Sequence, residues 1–465
     1  MCITMRFRRL QRVGAIVVLG LTVGRAAACG TYFDPQSVPR LIAESISTDE
    51  SVSRPAIVTL RALGQPAVDA MCDQHDRHVS GAAPASRETI DRLRRSIDAV
   101  AKQRDAWASR LFWHTDFDLA KASAQSSSKP ILSLRLLGNL DDDLSCANSR
   151  FFRSVLYANK DVSNYLCDHF VLHWESVRPV PRISIDFGDG RRIERTITGN
   201  SIHYVLDSGG TLIDAVPGLY GPSAFVRALK NAENVAIQHA AATSEQTRTN
   251  LLIAYHGVAR RDIEKNWRDD LAKLGIAALP AEVKAVNAPL AVEAAPIAMS
   301  KMAVEAPMLK TVAIPLGGAR SLESLTTDQT WERLSELHLA DAQLDDRSIA
   351  LIREKSGPDV VPVVSAKAIK AQTIAVGKRR AEDPFFVMLQ NLRESIAADT
   401  VRNEYVIHRQ IHEWLADGSR IVEIKPFNER VYAKLFLTPL DDPWMGLAPA
   451  TTYAALDRAG VGRVN

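Results

Sequence analysis

Apolar positions recur at helical spacing through the early part of the chain. In "RPAIVTLRALGQPAVDAM", Ile57, Leu60, Leu63, Val68 and Met71 mark two short helices, with Gly64-Gln65-Pro66 as the turn between them. "SRETIDRLRRSIDAVAKQRDAWASRLFW" predicts a longer amphipathic helix. Ser86 is placed to cap it, and Ile90, Leu93, Ile97, Val100 and Ala101 mark its buried side. From Trp113 the period changes. "DFDLAKASAQSSS" is helical, whereas "KPILSLRLL" and "DHFVLHWESV" are apolar runs of strand length. "ISIDFGDGRRIERTIT" alternates on either side of Asp189-Gly190, as a hairpin does, and "IHYVLDSGGTLIDAV" turns at Gly209-Gly210. "GPSAFVRALKNA" closes with a helix. The order helix, strand, helix, strand, hairpin, helix predicts an α/β class: a mixed sheet with helices on both faces.

Residues 231–275 continue as polar helix. An Ala/Pro/Val-rich stretch without periodicity follows and reads as a semi-extended linker. "SLESLTTDQTWERLSELHLADAQL" and "DPFFVMLQNLRESIAADTVRNEYVIHRQIHEWLADG" are helical, the second ending at Gly418. A chain of 465 residues suits more than one core. The expected division is a leader at 1–28, a helical region at 29–112, an α/β domain at 113–232 and a helical extension at 233–275. A linker at 276–315 then leads to a mainly helical domain at 316–465.

The leader has a basic head (Arg6, Arg8, Arg9, Arg12), an apolar stretch from Val13 to Val23 and an Ala26-Ala27-Ala28 cleavage site. Its apolar stretch is shorter than the roughly 20 residues that span a bilayer. Export to the periplasm or cell envelope is expected. Cys29, directly after the alanines, is a candidate lipid attachment point and the one expected link to a membrane. After export, Cys29, Cys72, Cys146 and Cys167 sit in an oxidising compartment that permits disulfides. The net charge of +3, from 57 basic and 54 acidic residues, gives no strong field for polyanions. The sequence also lacks a phosphate-cradling glycine loop, zinc-ribbon spacing and a haem-attachment CxxCH. Nucleic acid is therefore excluded as a partner, no cofactor is expected, and a protein or protein thiol is the expected partner.

The candidate chemistry centres on "DDDLSCANSRFFRSVL", where Cys146 opens a helix behind Asp141, Asp142 and Asp143. A helix N-terminus favours thiolate, and the aspartates, read as a hydrated loop, oppose it. The helix effect acts at contact range, so a partly exposed, reactive thiol is expected. Cys167 is too far to resolve it. A helix running to about Tyr157 carries the chain roughly 15 Å away, whereas a disulfide needs Cα atoms within about 7 Å. Cys167 is thus expected to be buried and inert.

Elsewhere, Glu404, His408 and His412 stand at i, i+4 and i+8, with Glu413 beside the last. Two histidines four apart can share a metal. The zincin order, however, would put glutamate where Arg409 stands, so a solvated or interdomain polar face is expected rather than a metal site. Cys72, His75 and His78 step by three and are expected on a polar surface or loop. His169 and His173 are expected in a strand, packing or hydrogen-bonding. Arg135 interrupts "ILSLRLL" and needs an acidic partner, for which Asp116, Asp118 and Glu175 are candidates. No serine lies in a GxSxG elbow.

The stretch from Trp113 to about Ala232 resembles the thioredoxin-like superfamily. The resemblance is carried by "AKASAQSSSKPILSLRLLG", by Cys146 opening a helix, by "NYLCDHFVLHW" and by "NSIHYVLDSGGTLIDAVPGLYGPSAFVRAL". It covers about a quarter of the chain and rests on pattern and order. Redox-active members carry CxxC, where this chain reads Cys146-Ala147-Asn148-Ser149. Ser145 stands where a tryptophan is usual, and Asn200-Ser201 stands where active members place a cis-proline. The resemblance therefore implies a thioredoxin-like fold without dithiol reductase activity. Three roles stay open: binding, a monothiol oxidoreductase or isomerase using Cys146 with Ser149, and a scaffold that binds a partner through its helical segments.

Overall fold

Every residue of the central strand, β1 (Ile131–Leu137), is buried, the state expected of a continuous apolar run covered on both faces. β1 pairs in parallel with β2 (Val171–Arg178). A two-stranded hairpin, β3 (Arg182–Asp186) with β4 (Arg192–Thr196), follows. β5 (Ser201–Leu206) then returns antiparallel to β1, and β6 (Leu212–Pro217) antiparallel to β5. The main sheet is thus ordered β2-β1-β5-β6. The strands and hairpins expected between Trp113 and Ala232 all form. Arg135 on β1 faces Glu175 on β2, its partner in the register, at 3.0 Å.

The computed structural model describes residues 37–81, 84–196, 199–276, 320–356, 384–417 and 423–445. The leader, Cys29, Gly418 and, beyond Ile276, the linker at 276–315 lie outside them. Among the described residues, no helix is long and apolar enough to cross a membrane.

Helices α1 (Val38–Ser45), α2 (Glu50–Leu63), α3 (Gln65–Ser80) and α4 (Arg87–Ala101) share a buried cluster that includes Leu60, Met71, Leu93 and Ile97. Ser86 caps α4 by accepting from the Thr89 amide at 3.2 Å. Cys72 and His75 are corrected from the expected surface or loop: both are buried on α3. Cys72 belongs to the apolar cluster, and His75 accepts from Arg94 Nε at 3.0 Å. A short turn of helix, α5 (Ala106–Ser109), leads to α6 (Phe117–Ser127).

After β1 the chain forms α7 (Ala147–Phe151), a π-helical turn at Phe152–Leu156, and α8 (Lys160–His169). The separate α8 is a correction, since this stretch reads as loop and strand. Asn159 starts the new helix by accepting from the amides of Asp161 and Val162, both at 3.1 Å. His169 and Cys167 therefore lie on a helix, and Cys167 is half-buried rather than buried. His173 does hydrogen-bond within the sheet, to Ser133 Oγ at 2.8 Å.

α9 (Pro222–Ala241) and α10 (Glu245–Lys273) cover the β6 side. The C-terminal elements are α11 (Arg320–Leu325), α12 (Asp328–Leu337), α13 (Asp346–Ser356) and α14 (Pro384–Arg402), followed by α15 (Arg409–Ala416) and α16 (Ile424–Lys434). Ile396, Ile411, Phe427, Val431 and Tyr432 belong to the same buried cluster as the strands. The C-terminal helices thus pack on the sheet and complete its core.

Candidate functional site

Cys146 is the N-cap residue of α7, as the sequence places it, but its side chain is 0% exposed. This corrects the expectation of a partly exposed thiol. Its Sγ lies 3.2 Å from Ser201 Oγ at the start of β5. Ser149 is engaged away from the sulfur: its hydroxyl donates to the Cys146 carbonyl at 2.8 Å and lies 2.6 Å from Ser145 Oγ. Tyr432 on the C-terminal helix α16 shares the buried cluster of Cys146. Tyr432 on α16 donates to the Asn200 carbonyl at 3.2 Å, and Asn200 Nδ2 donates to Thr438 Oγ1 at 2.8 Å. The three aspartates lie on a loop as expected, Asp143 exposed and Asp141 and Asp142 half-buried, and each also has a basic partner. Asp141 meets Lys102 at 3.3 Å, Asp142 meets Arg182 at 3.0 Å and Asp143 meets Arg104 at 2.8 Å. Among the described residues Cys72, Cys146 and Cys167 are all free thiols.

A second locus brings together more ionisable chemistry. It is built where the helix through α14 and α15 crosses β6. Between the two helices, Asn403–His408 forms a π-helical turn, a feature that concentrates at functional sites. The close approach depends on small residues after β6. A Cβ on Gly221 would lie 2.2 Å from the Asp341 carbonyl oxygen, and the Gly221 amide donates to Thr400 Oγ1 at 2.7 Å. Gly218, at φ +70°, leaves room for Asn403, which donates to the Leu219 carbonyl at 2.8 Å.

Docked this way, His408 reaches two carboxylates, Asp214 on β6 through Nε2 and Glu404 through Nδ1, each at 3.2 Å. His412 stacks on His408 with ring centroids 4.2 Å apart, and its Nδ1 lies 2.9 Å from His256 Nδ1 on α10. Asp214 is held by its neighbours: Oδ1 accepts from the Ala215 amide at 2.8 Å and Oδ2 from Tyr255 at 2.5 Å. Tyr220 donates to Glu404 at 3.0 Å. Asp214 is 0% exposed, so its charge is fully desolvated.

Burial alone would raise the Asp214 carboxyl, but His412 and His408 reverse this and hold it well below the ordinary carboxylate range. For His408, burial pulls down, and Asp214 and Glu404 outweigh it to lift the imidazole to about 10. Burial dominates at His256, pushed down to about 4, and at His412, which falls well below 6.5. His408 is therefore the imidazole that carries the proton between two carboxylates.

His408, His412, Glu404, Tyr220 and Tyr255 line a cavity of about 580 Å³. That volume is within the range of roughly 300–1,000 Å³ typical of small-molecule sites. His338, Asp341 and Arg227 line the same cavity. Arg227 grips Asp341 with both Nη atoms, at 2.6 and 2.8 Å, and His338 bonds Asp270 at 2.7 Å. The sequence finds Glu404, His408 and His412 on one face. It misses Asp214, His256, Tyr255 and Tyr220. Asp214 alone carried a signal, as the one charge in the apolar strand "LIDAVP".

Comparison with protein-family models, curated proteins and solved structures finds no match to this chain.

His338 gives a pH prediction. Burial would push this imidazole down, but hydrogen bonds to Asp270 and Asp341 overcome it and hold it at about 9, against 6.5 for the free group. A raised value means that the stabilisation is complete below pH 6.5 and is lost as pH rises through about 9. On the order of 3 kcal/mol should disappear over that window. Urea unfolding at steps from pH 6 to pH 10 reads it, with His338→Gln as reference. Parallel stability curves for the two proteins would refute the assignment.

Proposed function

We propose that this chain is an exported thioredoxin-fold protein whose cysteine edge is closed by its own C-terminal segment, and that its work is binding rather than dithiol exchange. The strand order β2-β1-β5-β6, with one parallel and two antiparallel pairings, supports the fold reading. So does Cys146, at the start of the helix after β1 and opposite Ser201. The leader supports export, with Cys29 as the proposed lipid attachment point. Ile185, Phe187 and Ile193 are exposed on the β3–β4 hairpin and support a protein partner.

The observation that carries the binding reading is the 0% exposure of Cys146. Thiol exchange needs an incoming sulfur to reach Sγ, and no second thiol is bonded to it here. Alkylation with iodoacetamide, mapped by mass spectrometry on the native protein, tests this. The Cys146 peptide should stay unlabelled without denaturant while half-buried Cys167 reacts. Rapid native labelling of Cys146, or a mixed disulfide on it, would revive a monothiol oxidoreductase or isomerase.

A further inference from the structure

The buried group at β6 has the make-up of a metal centre. Among the described residues, Asp214, His408 and His412 each offer one donor atom, and all three atoms lie within 4.8 Å of one another. Asp214 Oδ1 is 3.2 Å from His408 Nε2 and 3.9 Å from His412 Nδ1. Ligands held at about 2.0–2.2 Å around a tetrahedral ion are themselves roughly 3.3–3.5 Å apart. The 3.2 Å separation matches such an edge, the 3.9 Å one is slightly longer, and the third is within 4.8 Å.

We propose that Asp214, His408 and His412 bind a divalent transition-metal ion of the zinc class, with its remaining position toward the cavity. The chemistry around the donors supports this. Glu404 holds His408 Nδ1 while Nε2 points at Asp214, the carboxylate–histidine arrangement that fixes the tautomer of a ligating imidazole. Tyr220 in turn bonds Glu404, and Tyr255 and the Ala215 amide orient the Asp214 carboxylate. Asp214 and His408 therefore come with a second layer that holds them, which separates a built site from a chance cluster, while His412 Nδ1 would exchange its contact with His256 Nδ1 for the ion.

Charge points the same way. Asp214 and Glu404 bring two negative charges into a site whose other members are imidazoles. A single proton neutralises one charge, and a divalent cation neutralises both. Two imidazole nitrogens and one carboxylate select the borderline metals over calcium or magnesium, which prefer oxygen alone. Three protein ligands with a free position is the pattern of zinc sites that keep a water or accept a substrate. His408 and His412 line the cavity, which gives an ion a route in.

This inference gives the binding reading a ligand and rests on it, but its test measures metal rather than thiol, so the two fail separately. The EDTA-stripped full chain is titrated with zinc ion against a chromophoric chelator, and with cobalt(II) followed by visible absorption. One saturable equivalent per chain is expected, with the spectrum of a low-coordinate nitrogen/oxygen site. His412→Gln should abolish that equivalent and Cys146→Ser should leave it unchanged. Glu404→Gln keeps all three ligands and should weaken binding about 10- to 100-fold, covering the case in which His412→Gln does not fold. Absence of a saturable equivalent, or an equivalent that survives His412→Gln or is unaffected by Glu404→Gln, would overturn the site.

Discussion

Replacing Asp214 by alanine should lower the unfolding free energy of the metal-free protein by about 3–5 kcal/mol, the range found when one partner of a buried ion pair is removed. The reason lies in what the substitution leaves behind. His408 is 3% exposed and is held protonated at about 10 by Asp214 and Glu404. Without Asp214 the imidazole must lose its proton or remain a buried cation with one carboxylate. Part-buried Tyr255 also loses its acceptor, and that loss is included in the range. Urea unfolding should show a lower midpoint at unchanged slope. The double-mutant cycle with His408→Gln isolates the pair. His408→Gln should cost far less once Asp214 is gone, with a coupling of roughly 0.5–3 kcal/mol. Additivity within about 0.5 kcal/mol would mean that the two groups do not share the proton.

Asp214 also shows where the sequence stops being readable. Strands β1, β2, β5 and β6 follow from apolar runs of strand length bounded by turn residues, because each strand's burial is written in its own composition. Arg135 could be given a short set of partners, Asp116, Asp118 or Glu175, because a buried arginine demands a carboxylate, and Glu175 is the one it meets. Asp214 made the same demand, but its partner His408 is 194 positions away in the sequence. A helical pattern shows that His408 and His412 share a face with Glu404. It does not show which strand that face will meet. The π-helical turn that carries Glu404 and His408 has no composition rule either. The short helix α8 was hidden for a local reason. "NYLCDH" runs without a break into an apolar strand, and only the Asn159 cap separates it from the preceding turn. The shared face was legible, and its chemistry depended on tertiary contacts.

The burial of Cys146 has the same long-range origin, and removing its cover should expose it. Tyr432→Ala deletes a fully buried aromatic side chain from the cluster that contains Cys146, and loses the hydrogen bond to the Asn200 carbonyl. Large-to-small changes of this size cost about 3–5 kcal/mol. If much of that loss falls on the docking of α16 and the segment through Thr438, that unit opens more often while the sheet stays folded. Each 1.4 kcal/mol is about a tenfold change in an opening equilibrium, so alkylation of Cys146 should accelerate by roughly 100-fold. Tyr432→Phe is the control. It keeps the packing and removes one hydrogen bond worth about 1 kcal/mol, so labelling should rise by less than about tenfold. Cys167 lies on α8 and should label at the wild-type rate in both variants, which separates local opening from global unfolding. Equal labelling of Cys146 in wild type and Tyr432→Ala would show that the seal lies elsewhere. Parallel acceleration of Cys146 and Cys167 would show that α16 does not open as a unit of its own.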